Sequence, residues 1–65
     1  MDVEFARLCL SRIGAMAGDA EAAHGEEDDF RAAVLAAIAE GTPDAQELAA
    51  IALETDDISF ERWCA

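Results

Sequence analysis

Residues 30–44 read FRAAVLAAIAEGTPD, an apolar helical pattern followed by a signal that ends one helix and begins another. Phe30, Val34 and Ile38 recur every four residues, the spacing that places side chains on one face of an α-helix. Gly41 follows Glu40, and glycine is common just past a helix C-terminus because it adopts left-handed backbone angles without steric cost. The pattern predicts a helix over residues 25–40, the second of the chain.

The same segment predicts where the third helix begins. Thr42 can cap a helix N-terminus, Pro43 suits the first helical position, and Asp44 places negative charge near the positive end of the helix dipole. We expect this helix to cover residues 42–54 and to end where Thr55, Asp56 and Asp57 follow. Its inner face is expected to consist of Leu48, Ile51 and Ala52.

The N-terminal part of the chain predicts the first helix, over residues 2–17. Asp2 is a favourable cap, and Gly18 is a favourable stop. The apolar stripe of this helix is expected to consist of Phe5, Cys9, Ile13 and Met16. Residues 19–29 then form an acid-rich segment, which we expect to start as a helical turn and to break near Gly25.

The C-terminal residues complete the expected fold. Ile58, Phe60 and Trp63 form a short apolar tail, read as a final helical turn begun by Asp57 or Ser59 and folded back over the core. No alternation typical of β-strands occurs. The sequence therefore predicts a single all-α domain over residues 1–65, a compact bundle of three helices plus a short C-terminal helical turn.

Charge is the most unusual property of the composition. Fifteen acidic residues stand against four arginines and no lysine, which gives a formal net charge of −11. Such a charge destabilises a compact state by self-repulsion and keeps a protein soluble and monomeric. It also disfavours direct binding to nucleic acid and to anionic lipid, since both depend on lysine and arginine.

Other features indicate a cytoplasmic protein that does not enter a membrane. The longest apolar run covers residues 32–39, far short of the roughly 20 residues that a membrane helix needs. No secretory signal is visible, and two cysteines, Cys9 and Cys64, do not make a disulfide framework. Cys9 is expected to be a small buried apolar residue.

The acidic side chains are the candidate partner-binding residues. Carboxylates one helical turn apart lie about 5–6 Å from each other at Cβ. A helix can therefore imitate the closely spaced phosphates of DNA, while the alternative reading is a merely solvated surface. The candidate set consists of Asp19, Glu21, Glu26, Glu27, Asp28, Asp29, Glu40, Asp44, Glu47, Glu54, Asp56 and Asp57.

The sequence offers little for catalysis. Glu21 and His24 have the Glu-x-x-His spacing that supplies two ligands in di-iron carboxylate bundles, which makes a metal-binding helical oligomer one alternative. Gly25, next to His24, argues against the long helix that such bundles use. No phosphate-binding glycine loop, catalytic triad or zinc ligand set is present. We expect no enzyme activity, no cofactor and no metal.

Taken as a profile, the chain resembles the small inhibitors carried by phages and mobile elements, above all the anti-CRISPR proteins. The resemblance covers its length, its acidic charge, its expected helices and residues 47–65, ELAAIALETDDISFERWCA. It implies a monomer in the bacterial host cytoplasm that binds a basic, DNA-binding surface of a CRISPR effector complex and blocks DNA recognition. No functional residue is carried over from that family.

A further alternative is a small antitoxin-like regulatory protein that binds its partner through apolar side chains. Phe60 and Trp63 would then be exposed anchors, because tryptophan is enriched at the energetic centres of interfaces. In so small a chain we favour the reading in which both complete the core.

Overall fold

A computed structural model describes residues 1–60 of the chain. Helix α1 covers Val3–Ala15, helix α2 covers Ala20–Ala39, and helix α3 covers Ala45–Leu53. A 3₁₀ turn, Glu54–Asp57, continues α3 without a break. The three helices pack against one another and the described residues contain no strand, which confirms the predicted all-α class.

Helix α1 begins at the predicted cap. The Oδ1 atom of Asp2 accepts a hydrogen bond from the backbone N–H of Phe5 at 2.7 Å. The expected apolar stripe is partly wrong, because Phe5 is exposed whereas Ala6 and Ile13 are buried. The buried positions are seven residues apart, two helical turns, and Cys9 is only half-buried beside them.

Helix α2 is longer than predicted, and the expected break at Gly25 is wrong. The Oδ1 atom of Asp19 accepts a hydrogen bond from the N–H of Ala22 at 3.2 Å, so the helix starts five residues before Gly25. A glycine inside a helix costs only about 1 kcal/mol relative to alanine, and the capped first turn with its alanines outweighs that cost. The helix ends as predicted at Gly41, whose φ of 89° is left-handed.

Helix α3 begins later than predicted. Asp44, not Thr42, is its N-cap residue, and the Asp44 side chain makes no capping hydrogen bond. The C-terminal end also differs from the prediction, because the residues expected to break the helix form the 3₁₀ turn instead. Ile58 then adopts extended backbone angles, so no helical turn begins at Asp57. A turn begun by Ser59 would continue past residue 60, outside the described residues.

The core lies where the three helices meet. Its buried side chains are Ala6, Ile13, Phe30, Val34, Leu48 and Ile51. Burying one such leucine, isoleucine or valine side chain stabilises a fold by about 1.5–3 kcal/mol. Ile58 and Phe60 pack against this core, as expected of the tail. The third tail residue, Trp63, lies outside the described residues.

Candidate interaction surface

Each of the three arginines within residues 1–60 pairs with a carboxylate of another element. The N···O distances are 3.6 Å for Arg7–Glu54, 3.9 Å for Arg12–Glu26 and 2.6 Å for Arg31–Asp56. Exposed pairs of this kind stabilise a fold by only about 0–1 kcal/mol each. Their larger consequence is electrostatic, because every arginine in this part of the chain already has a counter-charge.

Most of the candidate acids have no such counter-charge. Asp28 lies beside His24, with 3.6 Å between Oδ2 and Nε2, and four other candidates pair with arginine. Seven remain that are exposed and form no ion pair with another residue of the described range. These seven, called the unpaired acids below, are Asp19, Glu21, Asp29, Glu40, Asp44, Glu47 and Asp57.

Glu27 departs from the expected surface position. Only 3% of this residue is exposed, because it falls on the buried stripe of α2 between Ala23 and Phe30. Its Oε1 atom lies 3.6 Å from Nη2 of Arg31, four residues later, the spacing at which side chains of one helix pair. Glu27 is therefore part of the interior and does not contribute to an acidic contact surface.

The four consecutive acids at residues 26–29 do not form one face. Successive residues of an α-helix point about 100° apart, so the four side chains are spread around the helix. Glu26 and Asp29, one turn apart, line a groove between α1 and α2, Glu27 points inward, and Asp28 is exposed. The acids with a common direction are spaced pairs, such as Glu21 and Asp28, which lie two turns apart.

A polar cluster joins α2 to the end of α3. It consists of Glu27, Arg31, Thr55 and Asp56 and is called the polar clasp below. The Thr55 hydroxyl is fully buried, donates to the carbonyl of Ala52 at 2.8 Å, and accepts from Arg31 Nε at 3.0 Å and Nη2 at 2.7 Å. Sequence reasoning missed Thr55, although its spacing of seven residues from Leu48 places it on the same buried side of α3.

The second feature that sequence reasoning missed is an apolar groove of about 280 Å³ between α2 and α3, called the α2–α3 groove below. It contains no acidic residue. Leu35 and Leu53 line it although they are 66% and 64% exposed. The other lining residues are Arg31, Val34, Ile38, Ala49 and Ala52.

The α1–α2 groove is smaller, about 190 Å³, and mixed in polarity. Phe5 and the half-buried Cys9 line it together with Arg12 and Glu26, which form an ion pair. An apolar partner would have to displace water from the charged Arg12 and Glu26 side chains. The α1–α2 groove is therefore less suited to apolar contact than the α2–α3 groove.

Other classes of site have little support within residues 1–60. No three side chains of His, Cys, Asp or Glu are grouped closely enough there to hold a metal ion, although α2 does carry Glu21 and His24 on one continuous helix. No helix in this part of the chain has the length and apolar character needed to cross a membrane.

Comparisons with known proteins found nothing similar to this chain. A scan against models of protein families found no match, and searches of curated proteins and of solved structures found no similar chain.

Proposed function

We propose that this chain is an inhibitory binding protein that occupies a basic, nucleic-acid-binding surface of another protein, as anti-CRISPR proteins do on CRISPR effectors. One observation carries the proposal. The unpaired acids are exposed and form no ion pair within residues 1–60, while every arginine of that range is already paired. The surface therefore has many carboxylates free to accept from a partner's arginines and lysines, and little positive charge to repel them.

The physical consequence is an electrostatically steered encounter. Complementary charge raises association rates well above those of neutral surfaces, and the increase falls as salt screens the field. Basic surfaces that bind DNA already hold positive charge in the density that phosphates require. An acidic helical domain in that position excludes DNA by occupying the same surface.

A gel-shift competition tests the proposal. Purified protein is added to a CRISPR surveillance complex with labelled target DNA, at low and at high salt. We expect loss of the DNA shift at low salt and its recovery at high salt. An unchanged shift, with no protein migrating with the complex, would contradict the proposed target.

Two matched variants make the competition specific to the unpaired acids. In the first variant, glutamine or asparagine replaces Glu21, Asp29, Glu40 and Glu47. In the second, the same exchange is made at Glu26, Asp28, Glu54 and Asp56, which are paired. Each variant removes four negative charges, so equal loss of inhibition would show that only total charge matters. We expect the larger loss from the first variant.

A second candidate function is that of an antitoxin-like protein that binds its partner through apolar contacts. The exposed Leu35 and Leu53 favour it, whereas Phe60, which this alternative required as an exposed anchor, packs against the core. It predicts that replacing both leucines with glutamine abolishes partner binding, and that neutralising the unpaired acids does not.

A further inference from the structure

We infer that the α2–α3 groove binds an amphipathic helix of the partner, apolar on one side and carrying lysine or arginine toward one end. The inference rests on the proposed function for the partner's positive charge. It adds a specific contact, because the proposed function alone assigns only a charged surface and leaves the apolar groove unused.

The groove has the form that accepts a helix. Ala49 and Ala52 have short side chains, so they leave space between the two helices, while Leu35 and Leu53 stand on either side of that space. Amphipathic helices bind such grooves through apolar residues at spacings of three and four. Their apolar stripe would cover two leucines that are now largely in water.

The apolar surface extends beyond the groove itself. Ala32 and Ala39 are exposed and lie on α2 one turn before and one turn after Leu35. Ala50 is exposed one turn before Leu53 on α3. These flanking positions carry no charge, in contrast to the rest of a chain with a net charge of −11.

Electrostatics give the bound helix a direction. Arg31 stands at one end of the groove, held by Thr55 and by Asp56 at 2.6 Å, with Glu27 at 3.6 Å. Two carboxylates against one guanidinium leave that end negative. Asp28 adds an exposed carboxylate on the side of α2 that carries Leu35, two turns earlier. No acidic residue lines the groove itself, so the partner's basic residues belong just beyond its lining, beside these carboxylates at the Arg31 end.

The same charges argue against a second copy of this chain as the occupant. Two molecules that each carry −11 repel each other, and the groove offers only Arg31, already paired, as a positive group. A basic helix meets no such repulsion.

Titration of the full-length protein with fluorescently labelled peptides tests the inference. The probe is a leucine–alanine–lysine peptide of about four helical turns with one apolar stripe and its lysines toward one end. A second peptide has the same composition in scrambled order, and a third keeps the stripe but replaces lysine with glutamate. We expect the striped basic peptide to bind at least tenfold more tightly than either of the others.

Protein variants locate the binding site. Leu35→Gln combined with Leu53→Gln should weaken the striped basic peptide about tenfold or more, equivalent to about 1.4 kcal/mol. Leu8→Gln is the control, because Leu8 is 58% exposed on α1 and lines neither groove. It should leave the affinity unchanged.

Several outcomes would overturn the inference. They are absence of binding by the striped basic peptide, equal binding of the scrambled peptide, equal binding of the acidic peptide, and insensitivity to the double variant. A dimer in sedimentation that the double variant dissociates would assign the groove to a second copy. Trp63 is the sole tryptophan of the chain. If its fluorescence shifts to the red in the double variant without peptide, the α2–α3 groove would be assigned to the chain's own C-terminus.

These results separate the inference from the proposed function. Equal, salt-sensitive binding of both basic peptides, together with inhibition in the gel shift, would overturn the groove and leave the charged surface standing. Stripe-dependent peptide binding without inhibition would support the groove and contradict the proposed target.

Discussion

Thr55 shows how one residue connects α2 to the end of α3. Its buried hydroxyl accepts two hydrogen bonds from Arg31 on α2 and donates one within α3, so no polar atom of that side chain lacks a partner. The four-residue spacing of Glu27 and Arg31 is a signal of their ion pair that the sequence contains, whereas no local spacing indicates the hydrogen bonds from Arg31 to Thr55. A contact between residues 24 positions apart depends on how two helices dock, which local spacing does not encode.

Thr55→Val tests the polar clasp with little change of shape. Loss of the hydroxyl leaves the Arg31 guanidinium with fewer acceptors at a partly buried site, so we expect a loss of about 1–3 kcal/mol in the free energy of unfolding. Urea denaturation followed by circular dichroism measures it. Thr55→Ser keeps the hydroxyl and should lose less, and equal losses in the two variants would contradict the role assigned to the hydrogen bonds.

Two glycines should respond to alanine in opposite directions. Gly25 is helical, and a Cβ added there meets no atom within 4 Å, so Gly25→Ala should raise the free energy of unfolding by about 0.5–1 kcal/mol. Gly41 has a φ of 89°, so Gly41→Ala should lower it by about 1–2 kcal/mol. Thermal unfolding of both variants checks this, and a stabilised Gly41→Ala would contradict the assigned C-terminus of α2.

At the scale of elements, the existence and order of the helices could be predicted, because apolar side chains at helical spacing indicate which segments must pack together. Their boundaries could not. The predicted break at Gly25 gave too much weight to one glycine against the cap at Asp19, and the N-cap of α3 is Asp44 where Thr42 was predicted. Alternative starts and ends of a helix differ by about 1 kcal/mol in free energy, which is less than tertiary packing contributes.

Two leucines of α3 test the assigned inner face of that helix. Leu48 is fully buried and Leu53 is 64% exposed, so Leu48→Ala should lower the free energy of unfolding by about 2–5 kcal/mol. Leu53→Ala should change it by only about 0.5 kcal/mol, because the side chain is largely in water already. Chemical denaturation compares the two variants. Similar losses of unfolding free energy would mean that α3 packs against the core with a different face.

The candidate surface was predictable only in part, for a geometric reason. Composition indicates the negative charge, but the directions of consecutive acids differ by about 100° along a helix, so the run at residues 26–29 is not a single surface. The α2–α3 groove forms only where two helices pack together, so the sequence of either helix alone does not predict it. Leu35 and Leu53 each lie outside the buried stripe of their helix. Their positions in the sequence therefore indicate that both side chains are exposed, but not that they line one groove.

At the scale of the whole molecule, a net charge of −11 on one small domain has two consequences of opposite sign. Within the domain it is repulsive and opposes folding, whereas toward a basic partner it is attractive. Both effects depend on distances comparable to the Debye length, about 8 Å at physiological ionic strength.

Added sodium chloride should therefore stabilise the free protein and weaken its complex. Screening relieves repulsion among the acids, and each kcal/mol gained should raise the Tm by about 4–8 °C for a domain of this size. Thermal unfolding at increasing salt measures the change. A Tm that falls with salt would mean that attractive ion pairs, such as Arg7–Glu54, outweigh the repulsion.

Competition between this protein and DNA for one basic surface is the central claim, and an equilibrium titration tests it most directly. The apparent Kd of a CRISPR effector complex for labelled target DNA is measured at several fixed concentrations of the protein. The proposed function predicts that the apparent Kd rises linearly with protein concentration from its value without protein, that the maximal bound fraction stays constant, and that the effect shrinks as salt is added. An unchanged Kd, or a fall in the maximal bound fraction at constant Kd, would contradict it.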